Sequence, residues 1–180
     1  MRPRRTVSSA VEHCFHTAGV TGSSPVPSTI LIPVKIYRST AIHEAAHALA
    51  AIRAGLVFDH VTAIADLDED LDGALHWTEL HSSGEFSISA EASAMVLLAG
   101  PCAEARERRL RFDRVFAGEG ATDDREAIAS LGLTDDQFLA ASRDALALIE
   151  REWALIERIA DELESGRVLD FEEVEALVHA

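Results

Sequence analysis

Between residues 41 and 54 apolar positions recur at helical spacing, with Ile42, Ala46, Leu49 and Ala50 on one flank. Most residues there are strong helix formers, Ser39 or Thr40 suits the N-cap and Gly55 the C′ position, so a buried helix is predicted. The period then shortens. Residues 56–65 carry Val57, Phe58, Val61 and Ile64, and residues 74–80 alternate apolar with polar across an acidic connection, which predicts a hairpin or small sheet. Residues 89–110 return to helical spacing, apolar through Met95 to Leu98 and charged after Glu104. Gly100-Pro101 interrupts them, so a kink or a restart is expected. A glycine-rich loop, Gly118 to Thr122, leads into Asp123 and Asp124. Thr134 and Gln137 form a capping-box pair, and Phe138, Ala141, Ala145, Leu148 and Ile149 continue at helical spacing through Trp153, Ile156 and Ile159. That helix should stop near Ser165-Gly166, and Asp170 can cap a short final helix through Val174 and Val178. The predicted fold is mainly α (α+β), with a small β-hairpin or sheet between the first helix and the later ones.

Residues 1–33 break these patterns: they are basic, rich in Ser, Thr, Gly and Pro, and carry one acid, Glu12. The expected organisation is a disordered leader over 1–36 and one domain over 37–180. Ser8 to His13 and Gly19 to Val26 look like the translation of a tRNA gene, since Gly22-Ser-Ser-Pro25 can be encoded by a T-arm-like GGTTCGAGTCCC. The native start is therefore expected near Val34 to Tyr37, and a native peptide from before Pro25 would overturn that. His13, Cys14 and His16 form a metal cluster only if this segment is expressed. The basic start lacks the apolar run of a secretion signal.

The chain of 180 residues is 48% hydrophobic but only 6% aromatic, which leans towards helices cored by Ala, Leu, Ile and Val. A formal net charge of −15 argues against nucleic acid and anionic membrane surfaces as partners. No apolar run reaches the length of a membrane span. Cys14 and Cys102 stand apart without a CxxC spacing, so a reducing, cytoplasmic setting is expected.

The chemistry concentrates in His43-Glu-Ala-Ala-His47. Histidines at i and i+4 share one helical face, so both imidazoles can reach one metal, and Glu44 stands beside them to take a proton from an attacking water. The bland alternative is a pair of satisfied histidines on an Ala-rich helix. A zinc site needs a further ligand, and Asp124, Glu104, His60, His76 and His81 are the candidates. Asp124 could equally be a helix-start charge, with Asp123 as the cap. Glu104 reads better as a residue that orients a histidine by hydrogen bond, or else as a plain surface charge, His76 and His81 as strand residues near the cleft, and His60 as a solvent-facing turn histidine. Asp66, Asp68, Asp70 and Asp72 alternate as in a calcium loop but lack its glycine and closing glutamate, so a solvated turn is expected.

From about Arg38 onwards the chain resembles the peptidase domain of the FtsH family of ATP-dependent zinc metalloproteases. The blocks that carry the resemblance, in order, are His43 to Ala48, Asp72 to Trp77, Leu98 to Glu104, Gly120 to Asp124, Ile159 to Leu163 and Leu169 to Val174. The family's aspartate ligand falls on Asp124, so the resemblance implies one Zn²⁺ per chain held by His43, His47 and Asp124, with Glu44 as general base. Ala46 replaces the motif glycine, and Pro101-Cys102 replaces an Arg-Ala pair. No nucleotide-binding GxxxxGK[ST] is present, so no ATPase activity of its own is expected. The expected function is a metalloendopeptidase acting on unfolded or extended polypeptide, which could add to an edge strand; an unfoldase in trans and oligomers are compatible with this. The alternatives are a degenerate metal-binding adaptor of the same fold, or an unrelated HExxH protein.

Overall fold

The structure is a computed structural model that describes residues 36–64, 73–76 and 88–180. The leader with His13, Cys14 and His16, the acidic turn from Asp66 to Asp72, and His81 lie outside the described residues. Within them the fold is mainly helical with a small three-stranded sheet, as the sequence predicts.

Helix α1 (Arg38–Arg53) is the central element, buried on all sides from Ala41 to Ala51. Its alanines let neighbours approach closely: α2 (Ala90–Glu107) packs along it on one side and α6 (Trp153–Glu164) on another. Its N-cap is Tyr37, with no side-chain cap, so Ser39 and Thr40 lie inside the first turn instead of capping it. The stop is as predicted: Gly55 takes φ +73°, the left-handed C′ conformation that favours glycine.

Helix α2 starts at Ser89, whose hydroxyl accepts from the Ala92 amide at 3.1 Å, and it continues unbroken through Gly100-Pro101 to Glu107. The expected restart does not occur. Proline there removes one backbone donor, but residues 98–103 are all buried, and α2 packs against both α1 and α5 (Asp135–Arg151). Tertiary packing overrides the local preference. Between α2 and α5 lie two elements not read from sequence, α3 (Phe112–Phe116) and a 3-10 turn (Glu119–Ala121), then α4 (Thr122–Ser130).

The long C-terminal helix predicted through Ile159 is two helices, because Glu152 leaves helical geometry at φ −115°, ψ 22°. Its carboxylate accepts from Arg53 Nε at 2.8 Å and from Arg151 Nη2 at 2.8 Å, tying the break to the end of α1. Capping boxes at Thr134/Gln137 and Asp170/Glu173 start α5 and α7 (Phe171–His179) as predicted.

The sheet has the order β2-β1-β3, antiparallel throughout, with β1 His60–Thr62, β2 Ala74–His76 and β3 Leu169–Asp170. Its third strand comes from the far end of the chain, where only a cap was predicted. Strand β2 forms an edge among the described residues.

Candidate metal centre

Helix α1 carries His43, Glu44 and His47 into the interior, each no more than 7% exposed. One turn of helix separates the two imidazoles, whose centroids lie 4.7 Å apart. Helix α4 brings Asp124 to them from its first turn. Asp124 Oδ2 lies 3.2 Å from His43 Nε2, and Oδ1 lies 3.4 Å from His47 Nε2. Ligands on one tetrahedral zinc at about 2.0–2.2 Å would stand about 3.4 Å apart. The separation therefore fits a shared ion, and these three residues are a group that could hold one.

The outer nitrogens settle which ring atoms face that point. His47 Nδ1 lies 2.8 Å from the Val96 carbonyl oxygen, which can only accept, so Nδ1 carries the proton. His43 Nδ1 lies 3.2 Å from Glu104 Oε2 and donates to it. Both Nε2 lone pairs are thereby left for a metal. Glu104 is held in turn by Arg108, the C-cap of α2, at 2.5 Å. Glu104 is thus a residue that orients His43 and stands outside the three-ligand group.

Gly100 supplies the space. A Cβ on it would fall 2.3 Å from His47 Nε2 and 2.6 Å from His43 Nε2, so any side chain there would invade the region beside the two donor atoms. Sequence reading singled out Gly100 only as a helix interruption. Its signal was present in the cost of glycine inside a helix, which marks a close approach.

Without a metal, the charges in this cluster lean on one another. Burial, the largest effect on His43, pulls its pKa down, but hydrogen bonds to Asp124 and Glu104 outweigh it and raise the pKa to about 10. Burial also opposes the charged form of Asp124, yet the two imidazoles hold its carboxyl well below the usual range. His47 is raised, against burial, chiefly by Asp124. Glu44 is raised too, here by burial itself, with His43 and His47 opposing. Its carboxylate makes no hydrogen bond among the described residues and lines a cleft of about 970 Å³ beside the cluster. A smaller recess of about 260 Å³ against the same cluster is also lined by Ala74, Leu75, Val96 and Leu97.

Of the other candidates, Asp123 sits in the first turn of α4, whose N-cap is Ala121 without a side-chain bond, so Asp123 is not the cap. His76 is a strand residue on β2, as expected. His60 is on β1, half-buried, and not in a solvent-facing turn. Neither belongs to the ligand group. Buried Cys102 has its thiol pKa pushed up to about 12 by burial, which leaves it an inert packing residue.

No protein-family model and no curated protein matches this chain.

Proposed function

We propose that this chain is a zinc metalloendopeptidase that hydrolyses peptide bonds in unfolded or extended polypeptide, with the organisation that its resemblance to the FtsH peptidase domain implies. The observation that carries this reading is the convergence of His43 Nε2, His47 Nε2 and an Asp124 carboxylate beside a buried Glu44 with no hydrogen bond among the described residues.

His43, His47 and Asp124 would hold the ion, and the space beside Gly100 fits it. When bound, zinc supplies a Lewis acid and lowers the pKa of water towards about 7. Glu44 takes a proton from the attacking water onto a carboxylate oxygen and returns it to the departing amine nitrogen. Burial raises its pKa, which strengthens it as a base and brings it nearer to working pH. Val96 and Glu104 hold the two imidazoles in one tautomer, so neither ring reorients between turnovers.

Substrate access supports an endopeptidase. The two clefts share Glu44 and Gly73, the residue before β2, so an extended chain can lie past the site and add backbone hydrogen bonds to the edge strand. Lacking a nucleotide-binding loop, the chain should cleave casein or peptides at the same rate with and without ATP.

The test is metal content with activity. Wild type should carry one zinc per chain and cleave casein, a chelator should abolish cleavage and zinc restore it, and Asp124→Ala should lose both zinc and activity. Full zinc occupancy in Asp124→Ala would reject the third ligand. A zinc-loaded wild type inert towards unfolded polypeptide would favour a metal-binding adaptor.

A further inference from the structure

Two histidines weighed as zinc ligands are excluded from the buried centre and meet each other instead. His60 on β1 and His76 on β2 are register partners, with rings stacked at 4.2 Å between centroids and 18° between planes. Directly opposite partners on antiparallel strands have Cβ atoms about 4.5–5.5 Å apart, a span that two imidazoles can bridge to one ion. Two nitrogens on a shared ion at about 2.0–2.1 Å would lie about 3.4 Å apart, near the 4.2 Å between the ring centroids, so the pair can chelate once both rings turn a nitrogen towards the ion.

The surroundings favour a cation. Asp59, adjacent in the chain, is near enough to act electrostatically on His60, and Asp170 is the register partner of His60 on its other side. Asp170 already caps α7 through the Glu173 amide at 2.8 Å, so water completes the shell of the two imidazoles and Asp59 adds only nearby negative charge. Both imidazoles are half-buried, open to water but confined by the sheet. Burial and the neighbouring His76 lower the pKa of His60, with Asp59 opposing, so the neutral, ligating form prevails at neutral pH.

We propose that His60 and His76 form a second metal site, a two-imidazole chelate for a borderline divalent cation such as Ni²⁺, Cu²⁺ or Zn²⁺, which ties edge strand β2 to β1. With two protein nitrogens it binds more weakly than the three-ligand centre, and its order of preference places Cu²⁺ above Ni²⁺. It does not depend on peptidase activity or on occupancy of the buried centre.

Ni²⁺ alone, titrated into the full chain loaded with one equivalent of zinc, which fills the tighter three-ligand centre, and followed by equilibrium dialysis, tests it. Wild type should take up one more ion per chain than either His60→Phe or His76→Phe, which keep a ring in the stack but remove the nitrogens. Each variant should weaken that step at least tenfold while leaving zinc content unchanged. The same difference should persist in the Asp124→Asn background, which separates this site from the first. Equal Ni²⁺ uptake by wild type and both variants would overturn the proposal, as would loss of the step in only one.

Discussion

At Gly100 two demands oppose each other. Alanine in a helix interior is favoured over glycine by about 1 kcal/mol, yet a Cβ at this position would lie 2.3 Å from His47 Nε2. Gly100→Ala should therefore keep or gain helix content by circular dichroism while losing zinc affinity by at least tenfold in a competitive chelator titration. Unchanged zinc affinity would remove Gly100 from the site. Glu104→Gln retains an acceptor for His43 Nδ1 but removes the charge and the ion pair with Arg108. Losses of about 10–100-fold in metal affinity are typical of such partners, and that range is expected in the same titration. The histidine pair was legible because helical spacing alone puts i and i+4 on one face. Asp124 was not: its approach depends on how α4 lies against α1, and only the resemblance pointed to it. The Val96 carbonyl was hidden for the same reason, and Gly100 showed only as a helix interruption, since the closeness of α2 to α1 that gives it a role is tertiary.

Elements whose ends carry their own chemistry were read from the sequence, and those set by packing were not. Ser89, Thr134 and Asp170 cap the helices predicted to follow them, and Gly55 ends α1. Thr134→Ala should destabilise α5 by about 1 kcal/mol in urea unfolding. The split at Glu152 escaped notice because its cause, Arg53 on α1, is distant in sequence. The unbroken passage of α2 through Pro101 has the same origin, with α1 and α5 enclosing a segment that local rules would interrupt. Leu49 lies in the fully buried part of α1 and is 0% exposed. Leu49→Ala should cost about 2–5 kcal/mol, and a loss below 1 kcal/mol in the same denaturation would contradict the central place given to α1.

For the molecule as a whole, a metal held by the proposed ligands would compete with protons for one cluster. No helix among the described residues is long and apolar enough to cross a membrane. Without metal, His43 has its pKa raised from 6.5 to about 10, so its contribution to stability is full below 6.5 and is lost as pH rises towards 10. Asp124 has its pKa depressed, so its contribution is present above the ordinary carboxylate range and is lost as pH falls below it. The metal-free protein should therefore lose melting temperature between pH 6.5 and 10, and the rise in Tm on adding zinc should grow over the same interval. Zinc at 100 times its Kd should add about 2.7 kcal/mol. Binding at pH 7 should release protons, seen as a dependence of the calorimetric heat on buffer ionisation enthalpy; heats identical across buffers would contradict the raised histidine pKa values. The most direct measurement of the peptidase reading is casein cleavage by zinc-loaded Glu44→Gln beside wild type. With zinc content equal, the variant should be slower by about 10²–10⁴-fold, whereas equal rates at equal zinc would contradict the role assigned to Glu44 and with it the proposed hydrolysis.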